Sequence, residues 1–265
     1  MKEINIKIAC FCISFVFKNS DEIFLNEVFQ RYNSFLTKQK SNFRILTILN
    51  KEISFKETSV KLVFKNQKIF EIKREDFYFD GKTLIIKPNI YSFDSFLRIF
   101  MSVNLVKKNG FLLHTAGIKI NKSAVLFVGK SGSGKTTISE MVKDNFEVLS
   151  DELLPIIVNK NGAYTYSSPF WGSMKRPYNK WMKLPVKNIN FISKSDDFKI
   201  KKISFKSAYI KILKCLMNFN HDINVLSNIA HYACLLLSVS NYSILYFPKD
   251  KRKFIKGLFD NFIKG

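Results

Sequence analysis

Residues 129–137 read Gly129, Lys130, Ser131, Gly132, Ser133, Gly134, Lys135, Thr136 and Thr137. Three glycines ahead of a lysine and a hydroxyl residue, at this spacing, are the signature of a phosphate-binding loop. The glycines let successive backbone N–H groups turn toward one anion. Lys135 can then reach the outer phosphates of a nucleoside triphosphate, and the Thr136 hydroxyl can ligate Mg²⁺. The carboxylate pair Asp151 and Glu152 follows only a short helix later. One carboxylate beside Mg²⁺ organises the metal, and a second beside an attacking hydroxyl can accept its proton. Asp151 would also suit an acidic helix N-cap, so that reading stands beside the catalytic one. His114 reads either as a packed strand-end residue or as a catalytic group. Lys175 and Arg176, in a loop with Pro169, Gly172 and Pro177, are either cations for a transferring phosphoryl group or a solvated pair.

These residues need elements to hold them. The apolar run 124–128 predicts a buried parallel strand ahead of the loop, and 138–143 predicts the helix behind it. That helix N-terminus adds partial positive charge where phosphate would sit. Residues 110–113, with a continuation to 120, and 146–150 read as strands, the first run ending at His114 and the last at Asp151. Residues 155–158 and 163–166 read as a hairpin around Asn161 and Gly162. Further on, 186–192, 200–205 and 243–247 read as strands, and 207–218, 224–237 and 252–263 as helices. Residues 1–90 alternate in short runs that predict antiparallel strands, interrupted by a helix over 23–36. A helical stripe through Phe93, Phe96, Leu97, Phe100 and Met101 predicts a helix over 92–108.

At 265 residues the chain fits one large domain or a domain with a smaller partner. Its net charge of +22 admits an anionic partner, but the lysines are spread among Ile, Asn and Phe along the whole chain. That spread, with 27 phenylalanines, fits an AT-rich coding sequence, and no zinc-finger or aromatic RNA-binding signature accompanies it. Nucleic acid is therefore not the expected partner. Four scattered cysteines, Cys10, Cys12, Cys215 and Cys234, do not make a disulfide framework, and a reduced, cytoplasmic setting follows. Cys10 and Cys12 read as two small residues on one face of a strand, with a metal site as the weaker alternative. No stretch is long enough to span a bilayer. A homo-oligomer is compatible with the sequence, which does not set the oligomeric state.

Leu112, Leu113, His114, Thr115 and Ala116, then 129–137, then Leu149, Ser150, Asp151 and Glu152 resemble the catalytic domain of HPr kinase/phosphorylase. The resemblance is closer to the HPr-kinase-like P-loop kinases that lack its N-terminal domain. It extends to residues 168–172, 184–189 and 245–250, covering about residues 92–250. It implies an α/β fold of the phosphoenolpyruvate-carboxykinase-like type over 92–265, with residues 1–91 as a β-rich region packed on that core. It also implies ATP- and Mg²⁺-dependent transfer of a γ-phosphoryl group to a serine-type hydroxyl of a small molecule, peptide or protein. On this reading Asp151 is the base near the hydroxyl and His114 lies near the reacting phosphate. Lys135 and the loop bind the phosphates, and Thr136 with Glu152 holds Mg²⁺. The acidic pair is Asp-Glu where the bifunctional enzyme has two aspartates, and Lys130 stands in place of an acid, which argues against phosphorylase activity and HPr as substrate. Two other classes stay open: a regulatory or accessory ATPase with no phospho-acceptor, and a nucleic-acid-binding protein that uses ATP as a switch.

Overall fold

Alternating apolar residues, Ile4, Ile6 and Ile8 inward, form β1 (Lys2–Ile8), and a turn at Ala9 and Cys10 returns the chain as β2 (Phe11–Phe17). The computed structural model describes residues 2–56, 59–65, 68–174 and 180–263. Ala9 has φ of 52°, and the reversal leaves Cys10 exposed while Cys12 is buried on β2. The two thiols therefore do not share a strand face, because a turn separates them. Helix α1 (Glu22–Tyr32) starts where the Asp21 carboxylate accepts from the Phe24 N–H at 3.1 Å. It stops short of the expected residue 36 and ends in a 3-10 turn, Asn33–Phe35.

Strands β3 (Phe43–Leu49), β4 (Lys61–Lys65), β5 (Lys68–Arg74), β6 (Phe77–Phe79) and β7 (Thr83–Ile86) complete a sheet ordered β1-β2-β3-β7-β6-β5-β4. The flanks are antiparallel as expected, but β2–β3 and β3–β7 are parallel. Parallel neighbours need a crossover, which α1 supplies between β2 and β3. Helix α2 (Ile90–Val106) follows, and its Phe93 and Phe96 meet Phe15 and Phe77 edge-on, at 4.8 and 5.7 Å between ring centres. Met1–Val103 forms one compact unit and Asn104–Gly265 a second.

In the second unit, β8 (Gly110–Ile120) is long enough to pair with four other strands among the described residues. Its first half pairs with β11 (Leu153–Asn159), its second half with β9 (Ser123–Val128) and β10 (Val148–Ser150). Between β9 and β10 lies α3 (Lys135–Val142). β12 (Gly162–Tyr166) forms a hairpin with β11, and β13 (Lys183–Lys194) pairs first with β12 and then runs parallel to β9. β9 is apolar on both faces. Ala124, Leu126 and Val128 enter one core with Leu113, Leu154 and Ile189, while Val125 and Phe127 enter another with Ile138, Leu245 and Phe254.

The remainder contains β14 (Lys199–Lys201), α4 (Phe205–Leu213), β15 (Leu216–Met217), α5 (Ile223–Ser238), β16 (Asn241–Phe247) and α6 (Lys251–Phe262). β16 lies parallel to β13, and β14 is its antiparallel neighbour. The strand expected over 200–205 ends at Lys201, since Ser204 caps α4 by accepting from the Ser207 N–H at 3.3 Å. The helix expected to reach 218 ends at Leu213, because Leu216 and Met217 pair with Leu113 and Leu112 of β8. The chain is thus a mixed α/β protein with two mixed sheets and six α-helices among the described residues. No helix among these residues is long and apolar enough to cross a membrane.

Candidate functional site

Strand β9 delivers Gly129 to the end of the parallel β9–β13–β16 set, where α/β sheets place ligands. The loop then turns through Gly132, with φ of 75°, and Gly134, with φ of 108°. A side chain at Gly134 would also meet the Phe247 ring, whose Cζ lies 2.5 Å from an added Cβ. Gly134 is the N-cap of α3, and its carbonyl accepts from the Ile138 N–H at 3.0 Å. The first amides of α3 consequently have no partner within the helix and face the loop.

Lys135, the first residue of α3, is only 8% exposed. Its Nζ donates to the carbonyls of Gly129 at 2.8 Å and Lys130 at 3.0 Å. An ammonium has three donors, so one remains to point outward. Burial lowers the Lys135 pKa, opposed by the nearby Cys215, Glu152 and Asp151.

Asp151 follows β10 and is 1% exposed. Its carboxylate accepts from three neutral donors. The Thr136 hydroxyl lies at 3.0 Å, the Gly172 N–H at 2.8 Å and the Met174 N–H at 3.3 Å. The helix N-cap reading of Asp151 is excluded, since Leu153–Asn159 is a strand. Ser150 sets the turn: its Oγ donates to the Phe170 carbonyl at 2.6 Å and accepts from the Glu152 and Leu153 N–H groups at 3.1 and 3.3 Å. Ser168 N–H donates to the Leu149 carbonyl at 3.1 Å, which anchors the loop carrying Gly172. An added Cβ at Gly172 would lie 3.0 Å from Asp151 Oδ2, so glycine permits the close approach.

His114 sits on β8 opposite Leu153, and its backbone N–H donates to the Cys215 carbonyl at 2.7 Å. The next rung joins the Thr115 N–H to the Glu152 carbonyl at 3.0 Å. These rungs hold His114 and Glu152 beside the phosphate-binding loop.

A cavity of about 410 Å³ gathers Ser131, Gly132, Gly134, Lys135, Thr136 and Thr137 with His114, Asp151 and Glu152. Gly129, Lys130 and Ser133 do not line it; they line a second cavity on the same loop. Lys175 and Arg176 lie outside the described residues. Three contributors were missed from the sequence. Lys194, at the end of β13, and Ser173 line the cavity, and Ser150 positions the acid pair. Lys194 lies two residues beyond the strand expected over 186–192, and only the pairing of β13 with β9 shows that this strand end belongs to the parallel set where ligands bind.

Thr136, Asp151 and Glu152 offer a hydroxyl and two carboxylates. That oxygen set fits Mg²⁺, which is held by one or two carboxylates together with substrate phosphates.

The model of a family described as "ScmC: SynChlorMet cassette protein ScmC" matches residues 88–231, more than half of the chain, and the chain belongs to that family. The match includes His114, the whole phosphate-binding loop and the Asp151–Glu152 pair. It corrects the expected membership of the HPr-kinase-like proteins. The residues behind that resemblance are a phosphate loop, a strand-end histidine and an acid pair. Polyanion chemistry requires such groups in more than one family, so they did not discriminate. No curated protein sequence matches the chain.

Proposed function

We propose that the chain is a phosphotransferase that moves the γ-phosphoryl group of ATP to a serine-type hydroxyl of a small molecule, peptide or protein, with Mg²⁺. One observation carries this reading. The Thr136 hydroxyl contacts Asp151 at 3.0 Å, in the same cavity as Lys135, Glu152 and His114. A loop that only binds nucleotide has no need of a second carboxylate and an imidazole in the same cavity. The finer fold assignment we attach to it is phosphoenolpyruvate-carboxykinase-like, supported by an acid that returns on the strand directly after the loop helix. We place the reaction in the cytoplasm, the setting expected from four scattered cysteines. The family description names no reaction or acceptor.

In this mechanism the loop amides and the third donor of Lys135 bind the β- and γ-phosphate oxygens, and Lys194 adds a cation at the rim. Bound Mg²⁺ would neutralise charge on those oxygens. Thr136 and Asp151 form the metal-facing pair, because Asp151 is buried and already tied to Thr136. Glu152, half-buried and lining the same cavity, accepts the acceptor proton, which reverses the division of labour that the resemblance implied. The acceptor oxygen forms a bond to the γ-phosphorus as the bond from phosphorus to the β–γ bridging oxygen breaks. The acceptor proton passes to the Glu152 carboxylate, and His114 stays beside the transferring group as a hydrogen-bond donor.

The test follows label from [γ-³²P]ATP in the presence of serine, serine-containing peptides and proteins. Transfer to an acceptor supports the reading. Label released only to water replaces it with an accessory ATPase.

A further inference from the structure

The second cavity, about 350 Å³, is lined by other residues of the same phosphate-binding loop and shares no lining residue with the first. Lys130 enters it from the loop, Lys211 and Lys214 from the end of α4, and Phe191 from β13. Among the described residues no aspartate or glutamate lines it, and none of the three lysines has an ion-pair partner. Ser133 also lines it, and its Oγ is buried with no hydrogen-bond partner. Cys215 closes the wall; burial raises its pKa, so its thiol stays neutral and adds no negative charge. The lysines stand here for a tertiary reason. Pairing of Leu216 and Met217 with β8 ends α4 early and fixes Lys211, Lys214 and Cys215 against the loop.

Three exposed lysines lining one concave site, with no carboxylate among its described lining residues, create a positive potential that favours an anion. The apolar wall at Phe191 suits a carbon frame and not a bare inorganic ion. We propose that this cavity is a second ligand site, distinct from the nucleotide cavity, for a small organic anion carrying at least two negative charges as carboxylate or phosphate-ester groups. Its occupant would act on the loop directly. The Lys130 carbonyl accepts from Lys135 Nζ at 3.0 Å, so a ligand holding Lys130 couples to the nucleotide site, and linkage makes that coupling reciprocal. The inference does not require that the chain transfer a phosphoryl group.

The test is calorimetric titration of the full chain with citrate and, separately, glycerol 2-phosphate at constant ionic strength, with and without saturating ADP. The expected result is binding of at least one probe with Kd of about 1 mM or tighter, retained with ADP present. A Lys211→Gln/Lys214→Gln double variant weakens that binding by roughly tenfold. Removing the same charge at the exposed Lys249 and Lys256, as Lys249→Gln/Lys256→Gln, leaves it unchanged. Citrate binding alone assigns carboxylates, and glycerol 2-phosphate binding alone assigns phosphate esters. No binding of either probe, one-for-one displacement by ADP, or equal binding by the Lys211/Lys214 variant would overturn the proposal.

Discussion

Two aspartates are buried among the described residues, Asp94 in the first unit and Asp151 in the second, and their surroundings differ in kind. Asp94 is ringed by cations. Arg31 lies at 3.2 Å and Arg98 at 2.7 Å, and the Tyr32 hydroxyl donates at 2.8 Å. Among the described residues Asp151 has three hydrogen bonds, all from neutral groups, and no ion-pair partner within 4.0 Å. A buried carboxylate with its charge matched is part of the architecture. One held in place by neutral donors and lining a cavity offers its oxygens to a metal ion.

The largest effect should come from breaking the charge-matched site. Asp94→Ala takes the carboxylate away from the partly buried guanidinium groups of Arg31 and Arg98 and should cost about 3 kcal/mol of stability, read by urea unfolding. ATP binding by the folded fraction should survive. Asp151→Asn should do the converse. It keeps the shape, loses about 100-fold or more in phosphoryl transfer, and shifts the unfolding midpoint little. If Asp151→Asn unfolded the protein as Asp94→Ala does, the distinction between the two sites would collapse.

A smaller effect sharpens the contrast. Tyr32→Phe removes one hydrogen bond to a charged acceptor and should cost about 1.5–3 kcal/mol. Alkaline pH separates the sites further. Tyr32 has its pKa raised well above the ordinary value, first by burial and then by Asp94. Unfolded tyrosine therefore ionises first, and the wild-type advantage over Tyr32→Phe should shrink as pH rises above about 10. Lys135 moves the other way. Its lowered pKa means that the unfolded chain binds the proton more tightly, so its burial cost is relieved as pH rises toward 10.5. Over the same interval neutral Lys135 loses its phosphate, and nucleotide affinity, read by a fluorescent ATP analogue, should fall. Lys135→Arg, charged throughout, should not show that fall.

The local and the non-local divide cleanly in this chain. Loop, helix and flanking strand were legible over 124–143, because a glycine turn, an N-terminal helix charge and an apolar run act within a few residues of one another. Asp151 was legible for the same reason, since β10 returns directly after α3. Lys194 and the Gly172 amide were not singled out, because their places depend on β13 lying beside β9 and on Ser150 bonding across 20 residues to Phe170. The parallel pairing of β2 with β3 and the early end of α4 were also hidden, since local periodicity does not say which strand a segment will meet. Family membership was misread because phosphate-site motifs report chemistry and not descent.

By itself, then, the amino-acid sequence determined that this chain folds a phosphate-binding loop with an acid pair close behind it, since short-range backbone geometry dictates both. Only the tertiary structure decided the rest. It tied Asp151 to Thr136 and left Gly129, Lys130 and Ser133 out of the lining of the cavity that gathers Lys135, Asp151 and Glu152. It also brought Lys211 and Lys214 from α4 to a second cavity on the same loop. Those arrangements depend on strand pairing between distant segments, which forms only when burying both faces of β9 and β13 brings the segments together.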